Sequence, residues 1–79
     1  MPHRRQEIAP GIEVSPGVVS GTPVIKNTRI PVWAIIRTLA DLESIQEVAQ
    51  AYEISHEQVK QALRYAADLI EEVHVGILA

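Results

Sequence analysis

The apolar positions of this 79-residue chain follow two different rhythms. Through residues 8–31 they come in short β-branched pieces: Ile12-Glu13-Val14, Val18-Val19 and Val24-Ile25-Lys26. Pro and Gly punctuate the pieces at Pro10-Gly11, Ser15-Pro16-Gly17 and Gly21-Thr22-Pro23, where the chain is predicted to turn. Asn tolerates left-handed backbone, so a further turn is predicted near Asn27. Strands this short do not stand alone. The arm is therefore expected to pack on the rest of the chain or to pair with another chain.

From residue 32 the period lengthens. Val32, Ile35, Ile36 and Leu39 recur at i, i+3, i+4 and i+7 and predict a first helix. Pro31 reads as its first residue, since the N–H it lacks is one that a helix start leaves unpaired anyway. Trp33 and Arg37 fall one turn apart on a flanking face, predicting partial core packing with a stacked guanidinium. Ser44 with Glu47, and Ser55 with Gln58, repeat a capping-box spacing and start two more helices. Ile45, Val48, Ala49 and Tyr52 form the apolar face of one. Val59, Ala62, Leu63, Ala66, Leu69, Ile70 and Val73 form that of the other. Only Tyr52-Glu53-Ile54 separates these two helices, which predicts a helix-turn-helix. Glu53 stands where Gly usually accepts a positive φ, so this turn is expected to differ or to lengthen. Gly76 marks the expected end of the third helix. The apolar tail Val75–Ala79 then needs a docking place on its own core, a sister subunit or a partner.

The predicted fold is mostly α, with a short N-terminal β arm or hairpin and a three-helix, winged-helix-like helix-turn-helix. One domain spans 1–79: a β-rich arm (8–31), a helical part (32–74) and the tail (75–79). A chain this short buries only about 60% of its unfolded surface, so its core is small. It has no cysteine, which excludes disulfides and thiolate metal sites. Helix packing and association remain as sources of stability, and a homodimer is expected. No apolar run reaches the roughly 20 residues that span a bilayer. No apolar stretch follows the basic patch at His3-Arg4-Arg5, so neither a signal peptide nor a membrane partner is expected and the chain is read as cytoplasmic.

The net charge of −3 hides a division. Residues 1–40 carry +3, from Arg4, Arg5, Lys26, Arg29 and Arg37 against Glu7 and Glu13. Residues 41–79 carry −6, with only Lys60 and Arg64 against eight carboxylates. Such a split suits two different partner surfaces, or plain solvation. If the third helix enters a DNA groove, Gln61 and Arg64 suit base edges and Lys60 suits phosphate. Phosphate neutralisation dominates DNA affinity, however, and this half is acidic. The rival reading makes the helix-turn-helix a scaffold, with Arg4, Arg5, Lys26, Arg29 and Arg37 as the nucleic-acid contacts. Asp68, Glu71 and Glu72 lie near the expected end of the third helix, where they oppose its dipole. With Ile77 and Leu78 they are the candidate contacts to a protein partner. His3, His56 and His74 have neither metal-ligand spacing nor a cysteine companion. No acid/base pair or phosphate loop stands out, so no enzyme, metal or cofactor is expected.

The run Gly21-Thr22-Pro23-Val24-Ile25-Lys26-Asn27-Thr28-Arg29-Ile30-Pro31-Val32, with the later Gln61-Ala62-Leu63-Arg64-Tyr65-Ala66, resembles the domain-of-unknown-function 433 (DUF433) family of small prokaryotic proteins. The resemblance covers roughly residues 12–67. It departs at Asn27, where the family usually has Gly, and at Leu42-Glu43-Ser44, where Gly often precedes the second helix. The motif also reads structurally. Gly21 and Asn27 allow turns, Pro23 stiffens the start of a strand, and Ile25, Ile30 and Val32 fill core. Thr28 caps the turn, and Arg29 is free to pair with a carboxylate of the helical half. The resemblance implies an antitoxin-like role in a type II toxin–antitoxin pair, with a PIN-like nuclease as toxin partner and operator DNA as a second ligand. A stand-alone DNA-binding regulator and a purely structural dimerisation module are the alternatives.

Overall fold

The structure is a computed structural model and describes residues 5–78, with side chains through residue 73. Three short strands, β1 (Gln6–Ala9), β2 (Ile12–Val14) and β3 (Val24–Ile25), form an antiparallel sheet in the order β1-β2-β3. Three helices follow: α1 (Val32–Leu42), α2 (Ile45–Tyr52) and α3 (His56–Leu78). The fold is thus mostly α with an N-terminal β arm, as the two rhythms predict.

The arm departs from the sequence reading in two places. It begins at Gln6 rather than residue 8, because β1 is an exposed edge strand whose polar Gln6 and Glu7 give no alternation to read. Val18-Val19 is not a strand. Val18 makes only an isolated bridge to Ser15, while Val19 and Ser20 turn left-handed at φ 48° and 56°. Between β1 and β2, Gly11 takes φ 76°, as a Pro-Gly turn of type II requires. The Glu7 carboxylate accepts from the Gly11 N–H at 3.0 Å and from the Lys26 ammonium at 2.9 Å.

Glu13 sits in the middle strand and is buried. Its carboxylate accepts from the Asn27 N–H at 2.7 Å and pairs with the Arg5 guanidinium, which also donates to the Thr28 carbonyl at 3.1 Å. Asn27 takes φ 64° in the predicted turn. The Thr28 hydroxyl closes that turn, donating to the Ile25 carbonyl at 2.7 Å and accepting from the Ile30 N–H at 3.0 Å. Arg29 has no ion pair with the helical half among the described residues; the arginine that serves the turn is Arg5.

Pro31 proves to be the cap of α1 rather than its first residue. Its ψ of 142° is extended, and its carbonyl accepts from the Ala34 N–H at 3.1 Å. Val32 donates to the Pro23 carbonyl at 3.0 Å, which fastens α1 to the arm. Ser44 caps α2 by accepting from the Glu47 N–H at 3.1 Å. Ser55 and Gln58 form the reciprocal box at α3, at 2.8 and 3.0 Å. The turn between α2 and α3 does not lengthen. Glu53 takes φ 56° and ψ 45°, and the Ile54 N–H returns to the Ala49 carbonyl at 2.9 Å in a Schellman-type close. Hydrogen bonds on both sides fix the turn, so the left-handed strain falls on Glu53.

Ile12, Ile25, Val32, Ile35, Val48, Ala49, Val59 and Ala62 form one buried cluster between sheet and helices. Beside it, the Tyr52 and Thr38 hydroxyls lie 2.9 Å apart and join α2 to α1. The third helix does not stop at Gly76 but runs through it to Leu78. One Gly weakens a helix by only about 1 kcal/mol, which a long helix absorbs. At 23 residues α3 is about 34 Å long. Every residue from Ala67 to Val73 is exposed, so this half leaves the body of the fold. The radius of gyration, 13.3 Å, accordingly exceeds the roughly 12 Å of a compact chain of this length. The later end also means that Asp68, Glu71 and Glu72 lie upstream of the last turn, where the helix dipole acts only weakly.

The ionic contacts fix the direction of the acid response. Burial pushes the Glu13 carboxyl up, but the Asn27 N–H and the Arg5 guanidinium outweigh it and hold it below the ordinary 4.5. Hydrogen bonding to Lys26 lowers Glu7, and Arg64 lowers Glu57. A carboxyl lowered by folding stabilises the fold above its unfolded value, and that stability is lost as pH falls through the folded value. The melting temperature is therefore expected to drop as pH falls below about 4.5, and Glu13→Gln should shrink the drop. Thermal melts of both proteins between neutral and acidic pH measure it. Relieving the left-handed non-glycine residue should act in the opposite sense. Glu53→Gly is expected to raise stability by about 0.5–1 kcal/mol in urea unfolding, net of the entropy glycine adds to the unfolded chain.

Candidate nucleic-acid and partner interface

The six candidate nucleic-acid contacts are distributed over the arm (Lys26, Arg29), α1 (Arg37) and α3 (Lys60, Gln61, Arg64), and Lys26 and Gln61 both meet the turn at Gly11. Lys60 and Arg64 lie one turn apart on the exposed side of α3. Lys60 has no ion pair among the described residues, whereas Arg64 donates to Glu57 at 2.8 Å. Gln61 is only part-exposed, because its carboxamide lies against the β1–β2 turn. A Cβ on Gly11 would fall 2.0 Å from Gln61 Oε1. Lys26 is joined to Glu7 on the arm, and Arg29 is exposed in the turn that follows. Arg37 is remote from these in sequence and stands 5.7 Å from the Trp33 ring centroid, a cation–π distance. The Trp33–Arg37 pair forms as predicted, but Trp33 remains 56% exposed and contributes little to the core. Arg4 lies outside the described residues.

The acidic candidates are placed differently. Asp68, Glu71 and Glu72 are all exposed, and none has an ion pair among the described residues. Ile77 and Leu78 continue the helix, with side chains outside the described set. By helical periodicity Glu72 borders the apolar stripe, whereas Asp68 and Glu71 both lie on the far side of the helix.

Residue-by-residue reading missed a groove of about 420 Å³ between α1 and α3. Trp33, Ile36, Arg37, Tyr65, Leu69 and Ile70 are among its lining residues. Leu69, Ile70 and Val73 stay 48%, 68% and 56% exposed, although they prolong the stripe that Val59 and Ala62 bury. The available signal was the length of that stripe, which outruns the partners the chain provides for it. No group of three or more His, Asp or Glu able to hold a metal occurs among the described residues. No helix among them is long and apolar enough to cross a membrane.

Capped helices joined by a short left-handed turn, set on a small antiparallel sheet, define a helix-turn-helix protein with a β arm. Its family follows from sequence comparison. The chain belongs to the family described as Protein of unknown function (DUF433), whose model matches residues 12–66. No curated protein and no solved structure shows a significant match. The matched region runs from β2 to the point where α3 leaves the body.

The contact between Gly11 and Gln61 gives a test of how the arm docks on α3. Gly11→Ala combines a positive φ with a steric clash and should destabilise the fold by about 1–3 kcal/mol. Gln61→Ala should remove the clash but not the backbone strain. The double variant is therefore expected to recover part of the loss, seen as non-additivity in a double-mutant cycle of urea unfolding.

Proposed function

We propose that this protein is an antitoxin-like binding module that holds a nuclease partner through the acidic side of its helical half, and that it acts by binding rather than by catalysis. The single observation that supports the reading is the imbalance in free charge. The carboxylates of Asp68, Glu71 and Glu72 project from an exposed helix and form no ion pair among the described residues. The basic candidates are partly spent: Lys26 on Glu7, and Arg64 on Glu57. An acidic helix complements the basic groove with which a nuclease holds RNA, and complementary charge speeds encounter and fixes register. Operator DNA is the second ligand of the pair, with Arg29, Arg37 and Lys60 as the cations without an ion pair among the described residues.

The test is co-expression with a PIN-like nuclease encoded by the adjacent gene, followed by sizing chromatography with light scattering. A stable hetero-complex is expected, together with relief of the nuclease's toxicity. Reversing Asp68, Glu71 and Glu72 to Lys should weaken the complex at least about tenfold, equivalent to about 1.4 kcal/mol, and the loss should fade as salt rises. No complex and no relief of toxicity would overturn the proposal. In that event a steep salt dependence of promoter binding, with Lys60→Ala weakening all sequences alike, would favour a stand-alone regulator.

A further inference from the structure

We infer that the groove between α1 and α3 is the seat of a second copy of this chain, with the two α3 helices packed antiparallel about a two-fold axis near Ile70. It adjoins the acidic surface proposed for the nuclease and shares Glu72 with it.

A half-helix with an apolar stripe does not hold itself in water, since isolated helices shorter than roughly 12–15 residues are marginal. The stretch from Ala67 to Val73 is exposed all round, yet it carries Leu69, Ile70 and Val73 on the same side as the core residues Val59 and Ala62. Trp33 completes the patch at 56% exposure. Exposed apolar residues gathered in one place, rather than scattered singly, are a feature of binding surfaces.

Two features favour a second copy as the occupant. The chain carries both halves of the joint on one face. The groove of about 420 Å³ takes roughly two or three aliphatic side chains, given that a cavity of roughly 150 Å³ holds a benzene. Leu69 and Ile70 form part of its wall and Val73 prolongs that wall, so a two-fold crossing near Ile70 lays the exposed stripe of each copy along the groove of the other. A two-fold axis needs just such a self-complementary patch, in which residue i meets j and j meets i. The charges agree as well. Arg37 lines the groove, while Glu72 borders the ridge by helical periodicity. Antiparallel crossing brings Arg37 of each copy toward Glu72 of the other, with Asp68 and Glu71 left facing outward.

The full chain, alone, is examined by sedimentation equilibrium at roughly 100 μM, where even a micromolar interface is filled. A dimer is expected. Ile70→Glu, at a position already 68% exposed, should yield a monomer. Arg37→Glu should weaken the dimer about tenfold, and Arg37→Glu with Glu72→Arg should restore it. A monomeric wild-type chain would overturn the inference and leave the groove to a different protein, without touching the nuclease test. A dimer that survives Ile70→Glu would overturn it too, and would move the interface elsewhere. Should Ile70→Glu lose helicity, the charge exchange decides, because it leaves the apolar stripe intact; failure of the double variant to regain the dimer then counts against the inference.

Discussion

Glu13 carries a charge into the middle strand of a three-stranded sheet, and a buried carboxylate there must find partners or lose its charge. It finds the backbone N–H of Asn27 and the guanidinium of Arg5. Those two contacts tie three separate stretches together: the start of β1, the middle of β2 and the turn after β3. The turn decides where Ile30 and Pro31 stand, and the Val32 N–H reaches back to the Pro23 carbonyl to begin α1. An arm with strands of two to four residues is thereby held in register by polar contacts as much as by its small apolar core.

The helical half obeys a different constraint. Capping and turn geometry set the path α1–α2–α3, with Ser44 and Ser55 opening helices while Glu43 and Glu53 close them left-handed. Where Gly would relax this geometry, two glutamates accept it. The result delivers α3 across the sheet with Val59 and Ala62 in the core and Gln61 against Gly11. The helix then continues past the last element able to cover it. The small size of the domain and its bare helix are therefore linked: the fold has too few elements to bury its longest one.

This arrangement sorts the charges by role. Arg5, Lys26, Glu7 and Glu13 stabilise the arm, and Glu57 with Arg64 forms an exposed pair across two turns of α3. The charges left without partners among the described residues lie mainly on the helices and are mainly acidic. Sign asymmetry in the sequence counted every cation as available to a ligand, whereas the folded arm uses several of its own. That is the physical basis for favouring a basic protein partner over DNA as the principal ligand.

Spacing and local backbone chemistry determined the three helices, the Pro-Gly and Asn27 turns, the Ser44 and Ser55 caps and nearly all of the core, although the same reading makes Pro31 the first residue of α1, of which it is the cap. The twelve residues from Gly21 to Val32 likewise sufficed for the family, now shown over residues 12–66. Spacing missed β1, since an exposed edge strand has no alternation to read. It gave Val19 to a strand where the chain turns left-handed, and ended α3 at Gly76, where one unfavourable residue does not outweigh a long helix. Only the tertiary structure decided which charges are consumed, because Arg5–Glu13 and Lys26–Glu7 join residues distant along the chain. It alone also set Gln61 on Gly11 and left Leu69, Ile70 and Val73 without a cover, because burial depends on which elements meet in space.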